Sequence, residues 1–136
     1  MGAFKLAPVL ASGCTAVLKP SELTPMTALK LAECIKKAGV PDGVINVVPG
    51  FGNEAGQALI SHPGVNKIAF TGSGPVGKHI MKTASETLKS VGLELGGKSP
   101  AIVMSDANLD VALAQCENGM FVHSGQYCMA ATRLFV

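Results

Sequence analysis

Residues 67–77 read KIAFTGSGPVG, and this stretch decides the fold class. A β-prone apolar run ends in glycine, and Ser73 can then begin a helix. Between them lies the spacing G-x-G-x-x-G, from Gly72 to Gly77, where backbone N–H groups and a helix N-terminus can hold a phosphate. A tight turn that binds nothing accounts for the glycines as well, so the spacing alone leaves both interpretations open.

Strands and helices alternate on both sides of this loop. The pattern predicts strands at 15–18, 44–48, 67–70 and 91–93. It predicts a first helix that begins at Thr24-Pro25 and ends at Gly39, a second helix at 53–60 and a third helix after Ser73. The last of these helices is expected to bury Val76, Ile80, Met81 and Ala84. Strands with little polar alternation, separated by helices, are typical of a parallel sheet covered on both faces. We therefore expect an α/β fold with a parallel, Rossmann-like sheet and flanking helices.

The pattern changes after Gly97, and we expect a boundary there between residues 1–96 and residues 97–136. The second part predicts a strand at 101–104, a helix that begins at Asp106, and the start of a strand at 133–136. The apolar side of this helix is expected to be Leu109, Ala112, Leu113 and Cys116. The second part thus resembles the beginning of a second α/β domain.

Composition excludes several classes of protein. Of the 136 residues 15% are charged, against roughly 25% in typical domains, yet no apolar run approaches the roughly 18 residues of a membrane span. Net charge is +2, Trp is absent and Tyr occurs once, which argues against nucleic-acid binding. Four cysteines without a C-x-x-C pair indicate no metal site and reduced, intracellular thiols.

Four polar motifs each follow a predicted strand, at 19–22, 49–52, 71–77 and 94–98. Because right-handed crossovers bring the carboxyl ends of parallel strands to one edge, the motifs are expected to share the edge where such sheets bind ligands. Lys19 and Glu22 can grip two ribose hydroxyls there, and the Glu22 carboxylate would repel a 2′-phosphate, which favours NAD over NADP. A solvated charged turn is the alternative.

Glu94 and Cys128 are the candidates for chemistry. Glu94 stands between an apolar strand and two glycines, which predicts a partly buried carboxylate of the kind that serves as a general base; a turn or helix cap is the alternative. Cys128 lies in a loop, where nearby N–H groups can activate a thiolate. Cys14, Cys34 and Cys116 are expected to be core thiols.

Two segments together resemble the paired active-site signature of the aldehyde dehydrogenase superfamily: Leu93–Pro100, LELGGKSP, and Gly125–Cys128, GQYC. The motifs FTGS at 70–73 and KPSE at 19–22 resemble its cofactor motifs, and the resemblance covers essentially the whole chain. It implies that Cys128 is the nucleophile and Glu94 the general base. It further implies cofactor contacts by Lys19 and Glu22 on the ribose, Gly52 and Asn53 on the adenosine side, Gly72 and Ser73 at the pyrophosphate, and Leu95 and Gly96 near the nicotinamide.

The resemblance also implies that the chain is an internal fragment, with residues 1–96 a partial NAD-binding domain and residues 97–136 the start of the catalytic domain. The implied reaction oxidises an aldehyde to a carboxylic acid with NAD(P) through a thiohemiacetal and a thioester, and the fragment alone is expected to be inactive. A CoA-acylating dehydrogenase and a non-catalytic, cofactor-binding relative are the alternatives. The implied parent is a homo-oligomer without nucleic-acid or membrane partners, in the cytoplasm, with the mitochondrial matrix left open.

Several positions depart from the family pattern. They are Gly92 in place of threonine, Gly74 and Pro75 in the glycine loop, His123 and Ser124 in place of Asn-Gln, and Tyr127 and Met129 beside the nucleophile. The last two are expected to line the aldehyde pocket, so they bear on the substrate class more than on the reaction.

Overall fold

The structure is a computed structural model that describes residues 2–136, and it alternates helices with short strands. The elements are α1 Gly2–Ala11, β1 Ala16–Leu18, α2 Met26–Lys37, β2 Ile45–Val47, a π-helical turn Gly52–Gly56 leading into α3 Gln57–Ser61, β3 Lys67–Gly72, α4 Gly74–Ser85, β4 Ser90–Leu95, β5 Pro100–Ile102, α5 Leu109–Phe121 with an irregular turn Val122–Gly125, and β6 Arg133–Phe135. The expected α/β class is confirmed. Within residues 2–136 no helix combines the length and the apolar character needed to cross a membrane.

The described strands form three pairs. β1 and β2 are parallel, with Ala16 opposite Ile45, and β5 and β6 are parallel, with Pro100 opposite Arg133. β3 pairs with β4. Parallel pairing across an intervening helix is the arrangement that the alternating sequence pattern predicts.

The chain divides into two compact units. One contains the residues up to Phe70 together with His79–Gly92, and the other contains Thr71–Lys78 and Leu93–Val136. The buried apolar side chains of the first are Leu6, Ile60, Ile80 and Ala84. Among the described residues of the second unit, Ala130 is the buried hydrophobic side chain, and it lies two residues beyond Cys128.

Helix α2 ends as predicted and begins differently. Gly39 has a φ of +81°, its N–H donates to the Lys36 carbonyl at 3.1 Å, and the Val40 N–H donates to the Ile35 carbonyl at 3.4 Å. These are the two hydrogen bonds of a glycine-terminated helix end. Thr24 was wrong as the N-cap: the first turn follows Pro25, with no side-chain cap.

The buried face of α4 is formed by Gly77, Ile80 and Ala84, which follow one another at a helical spacing. Ile80 is 4% exposed and Ala84 is 1% exposed, as the sequence pattern predicted. Val76 and Met81, which the pattern placed on the same face, are exposed. Gly77, which has no side chain to rank by hydrophobicity, was missed.

Gly77 lies against the end of β4. A Cβ on Gly77 would be 2.9 Å from Leu95 Cδ2 and 3.0 Å from Leu95 Cδ1, whereas a Cβ on Gly74 would have no atom within 4 Å. This is the position in the glycine loop that allows close packing of helix on strand.

We predict that Gly77→Val in the full-length protein costs about 1–3 kcal/mol, because overpacking forces a shift of Leu95 or of α4. The measurement is the thermal unfolding midpoint without ligand. Gly74→Val is the matched control, since the same side chain enters open space there. Equal shifts in the two variants would show that the contact with Leu95 is not what requires glycine.

Helix α5 begins later than predicted. Asn108, not Asp106, is the N-cap, and its Oδ1 accepts from the Val111 N–H at 3.1 Å. Leu109 and Leu113, expected on the buried side, are exposed.

The expectation of core thiols was also wrong. Cys14 and Cys34 are exposed, and Cys116 is half-buried.

Candidate active site

The ends of β1 and β2 meet at Lys19. Its ammonium donates to the carbonyl oxygens of Pro20 at 2.7 Å and Gly50 at 3.0 Å and lies 3.6 Å from a Glu22 carboxylate oxygen. The Lys19 side chain is 17% exposed and that of Glu22 is 43% exposed. Two of the three ammonium donors of Lys19 therefore hold these turns together, and its charge lies beside the Glu22 carboxylate as an ion pair. The Glu22 carboxylate keeps acceptor capacity for a ligand hydroxyl.

Gly52 and Asn53 are exposed in a π-helical turn directly after β2, where a regular helix was expected. The Gly56 N–H donates back to the Phe51 carbonyl at 3.2 Å, the i to i+5 bond of this geometry. A Cβ on Gly56 would be 3.7 Å from the stem of Lys19. Gly56 therefore lies beside the Lys19 stem, and the turn and the Lys19–Glu22 pair form one local structure.

The glycine loop begins at Gly72, the last residue of β3, and α4 starts at Gly74. Its first helical hydrogen bond runs from the Gly77 N–H to the Ser73 carbonyl at 3.0 Å. The N–H groups of Gly74 and Val76 precede that bond, so they point out of the helix N-terminus and are available to an anion.

Thr71, the second residue of the FTGS motif, has a buried hydroxyl with no hydrogen-bond partner within residues 2–136. A buried hydroxyl without a partner is costly, which indicates a polar group that completes the site.

Glu94 lies inside β4 and not after it, which corrects the predicted strand end. Side chains alternate along this strand: Leu93 and Leu95 are half-buried, while Gly92 and Glu94 are exposed. The expected partial burial of Glu94 was therefore wrong. Its carboxylate lies on the open face of the strand, where a water molecule can reach it.

Cys128 stands at the apex of a β-turn. The Ala130 N–H donates to the Tyr127 carbonyl at 3.1 Å, so Cys128 and Met129 are its central residues. The thiol is exposed. Neither central N–H is used by the bond that closes a β-turn, so that bond leaves the N–H of Cys128 free.

The chain enters this turn through a left-handed segment. His123, Ser124 and Gly125 have φ angles of +52°, +58° and +70°. Only glycine adopts this conformation without cost, and each of the other two residues stores on the order of 1 kcal/mol of strain. His123 and Ser124 are two of the positions that depart from the family pattern, and the backbone is strained at both of them.

The base of the turn is anchored to α5. The Tyr127 hydroxyl donates to the Gly119 carbonyl at 2.6 Å, and the Ala131 N–H donates to the same oxygen at 2.9 Å. The Tyr127 ring also contacts His123 edge-on, with centroids 6.2 Å apart. Tyr127, expected to line a substrate pocket, thus directs its hydroxyl to the helix and supports the turn.

A second connection joins this turn to the segment after Glu94. The Ser99 hydroxyl donates to the Cys128 carbonyl at 3.2 Å. Arg133 supports the same segment, with its N–H donating to the Ser99 carbonyl at 3.3 Å and its Nε to the Lys98 carbonyl at 2.7 Å. Ser99 and Arg133 carry no signal of this role in the sequence, because no local pattern shows that Ser99 meets Cys128, 29 positions away.

A metal centre has no support in this geometry. Within residues 2–136 no group of three His, Cys, Asp or Glu side chains is placed to hold an ion.

Comparison with known proteins shows the family of the chain. The family model described as "Aldehyde dehydrogenase family" matches residues 1–136. The chain belongs to the aldehyde dehydrogenase family. The resemblance drawn from the two active-site segments is thereby confirmed.

Individual aldehyde dehydrogenases are similar over the whole chain. The chain is 54% identical to the putative aldehyde dehydrogenase DhaS of Bacillus subtilis over 136 residues and 57% identical to mouse retinaldehyde dehydrogenase 3 over 137 residues. Among solved structures, the NAD+ complex of an aldehyde dehydrogenase from Bacillus cereus superimposes with a TM-score of 0.95 at 49% identity and 100% coverage of this chain. The chain spans 27–28% of the length of these relatives.

Proposed function

We propose that this chain is part of an enzyme that oxidises an aldehyde to a carboxylic acid, with NAD as hydride acceptor and Cys128 as nucleophile. The observation that carries the proposal is the anchored turn: Cys128 is exposed at its apex, and Ser99 ties it to the segment that follows Glu94. Nucleophile and base thus lie on segments that are hydrogen-bonded to each other. Family membership supports the assignment.

The residues present fit the cofactor. Free N–H groups at the start of α4 and the unpartnered Thr71 hydroxyl suit the pyrophosphate end of a dinucleotide, so we assign Gly72 and Ser73 to it. Glu22, oriented by Lys19, suits a ribose diol. Gly52 and Asn53 are assigned to the adenosine side, and Leu95 and Gly96 to backbone positions near the nicotinamide. In domain terms, residues 1–96 belong to the NAD-binding domain and residues 97–136 begin the catalytic domain.

The first half of the reaction takes place at the Cys128 sulfur. The thiolate adds to the aldehyde carbon and gives a thiohemiacetal, whose oxyanion needs fixed donors. The Cys128 N–H is suited to this, because it lies outside the bond that closes the turn. When bound, NAD would supply the hydride acceptor, and loss of hydride from the thiohemiacetal would leave a thioester on Cys128.

The second half releases the acid. Glu94, exposed on β4, takes a proton from a water molecule that attacks the thioester carbonyl. Collapse of the tetrahedral intermediate breaks the C–S bond, releases the carboxylic acid and restores the thiolate. A base that deprotonates water is needed only when water is the acyl acceptor. The presence of Glu94 therefore favours hydrolysis of the thioester over transfer of the acyl group to coenzyme A.

The test is formation of NADH by the full-length enzyme, with a panel of aldehydes, with and without coenzyme A. Turnover that depends on the aldehyde and is indifferent to coenzyme A supports the proposal. Turnover that requires coenzyme A would assign the acylating reaction, and NAD binding without turnover on any aldehyde would assign a non-catalytic relative.

Glu22 is predicted to set the cofactor preference. Its carboxylate repels a 2′-phosphate, so Glu22→Gln should narrow the preference for NAD over NADP by about tenfold, equivalent to roughly 1.4 kcal/mol. The measurement is kcat/KM with each cofactor. Glu33→Gln is the matched control, since Glu33 also pairs with a lysine three residues away, at 2.6 Å. A parent enzyme that prefers NADP with Glu22 intact contradicts the assignment.

For the parent enzyme we propose a small-molecule aldehyde substrate, a homo-oligomeric state and the cytoplasm, with the mitochondrial matrix as the alternative compartment. One relative, 54% identical over 134 residues, is named mouse aldehyde dehydrogenase, cytosolic 1. Subcellular fractionation and the mass of the native enzyme in solution test these proposals.

A further inference from the structure

The carbonyl of the nucleophile is held by a side chain from a distant part of the chain. Ser99 Oγ donates to the Cys128 carbonyl oxygen at 3.2 Å, across 29 residues of sequence. Three shorter-range bonds hold the base of the turn: Ala130 closes the turn on Tyr127, and Ala131 and Tyr127 anchor it to Gly119. Within residues 2–136, the Ser99 bond is the side-chain bond that reaches the apex.

The apex of a β-turn is the part that can rotate. Its central peptide, here between Cys128 and Met129, has opposite orientations in type I and type II turns while the ends stay in place. Such a flip exchanges the sides occupied by the Cys128 carbonyl and the Met129 N–H, and it changes the backbone rotation at Cys128. The flipped state requires a positive φ at Met129, which does not have one here. Ser99 adds a hydrogen bond that only the observed orientation can make.

The donor is itself held in place. Arg133 donates through its N–H to the Ser99 carbonyl at 3.3 Å and through its Nε to the Lys98 carbonyl at 2.7 Å. Directly beyond, Pro100 and Arg133 are opposite each other in the parallel β5–β6 pair. Ser99 is therefore presented by a strand end and not by a free loop.

We propose that Ser99 is a positioning residue for the nucleophile: its hydroxyl holds the Cys128 carbonyl, and so fixes the direction of the thiol and of the N–H groups at the turn apex. The inference rests on the proposed function, because it assigns Ser99 a part in the reaction of Cys128. Acting through Cys128, Ser99 should affect attack on the aldehyde and leave the binding of NAD unchanged.

The test compares Ser99→Ala and Ser99→Thr in the full-length enzyme. Ser99→Ala is expected to slow the NADH burst and the alkylation of Cys128 by iodoacetamide, each by about tenfold, as loss of one hydrogen bond allows. Ser99→Thr keeps the hydroxyl and is expected to restore both rates to within about threefold of the parent enzyme. NAD affinity should be the same in all three proteins. Mass spectrometry of the Cys128 peptide separates its labelling from that of the exposed Cys14 and Cys34.

Ser85→Ala is the matched control, since Ser85 Oγ also donates to a backbone carbonyl, at 2.7 Å, but within α4. Unchanged burst and alkylation rates in Ser99→Ala would overturn the proposal. Equal losses in Ser99→Ala and Ser99→Thr would overturn it too, because the hydroxyl would then not be the cause. If Ser99→Ala does not fold, Arg133→Lys removes the Nε bond that supports the donor and must slow alkylation as well.

The proposed function can fail separately. Turnover by a Cys128→Ala enzyme would end it, while the effect of Ser99 on Cys128 alkylation would remain a measurable property of the turn.

Discussion

Cys128→Ala in the full-length enzyme is expected to abolish aldehyde oxidation, with a loss of kcat on the order of 10⁴-fold or more, as for removal of other enzymatic nucleophiles. Without the sulfur there is no thiohemiacetal from which a hydride can leave, and the bound cofactor has no reaction partner. The measurement is NADH absorbance with saturating aldehyde and NAD, with NAD affinity determined alongside. Affinity for NAD should be retained, since the cofactor residues assigned above do not include Cys128.

Cys34→Ala is the matched control for this loss. Cys34 is exposed, like Cys128, but lies on α2 and not at the apex of an anchored turn. The control should keep full turnover, with a change in stability of about 0.5 kcal/mol or less. Suppose instead that Cys128→Ala retains turnover and that a folded Cys34→Ala or Cys116→Ala enzyme loses it. The assignment of Cys128 as the nucleophile would then be wrong.

Local sequence patterns were sufficient for most of the elements. Gly39 was placed correctly because only a residue that tolerates a positive φ ends a helix in this way, and its φ of +81° shows it. The glycine loop was placed correctly because a β-prone run before glycine and a cap after it leave few other structures. In each case the signal and the structure lie within a few residues of each other.

Burial was predicted less well, because it depends on which surface each element meets. Val76 and Met81 are apolar at helical spacing, yet α4 makes its close contact through Gly77, where the absence of a side chain is what matters. The cysteines were assigned to the core from residue type alone, and Cys14 and Cys34 are exposed. Periodicity gives the spacing of a face but not the partner that covers it.

The candidate site shows the same division. Cys128, Glu94, Lys19 and Glu22 are proposed from motifs, because the chemistry needs those residue types near strand ends and loops. Ser99 carries no signal of its own, and its contact with Cys128 depends on the pairing of β5 with β6. Residues that position a nucleophile are thus harder to find in a sequence than the nucleophile itself.

Glu94→Gln should separate the two halves of the reaction. We expect a burst of NADH close to one equivalent, at a rate near that of the parent enzyme, followed by a steady state slower by about 10²–10³-fold, as for loss of a general base. The burst survives because attack by Cys128 and loss of hydride need no base for water. The slow phase follows because the thioester then waits for a water molecule that glutamine cannot deprotonate.

The exposure of Glu94 sharpens this experiment. Glutamine has the same shape as glutamate, and residue 94 lies on the open face of β4. Glu94→Gln should therefore change the free energy of unfolding by about 0.5 kcal/mol or less, so a loss of turnover will not result from unfolding. Glu86→Gln, at another exposed carboxylate, is the control and should show no slow phase. Hydroxylamine attacks a thioester without help from a base, so adding it should restore steady turnover in Glu94→Gln and release the hydroxamate. If the burst itself disappears, or hydroxylamine restores nothing, no thioester accumulates, and Glu94 then acts before hydride transfer and not in hydrolysis.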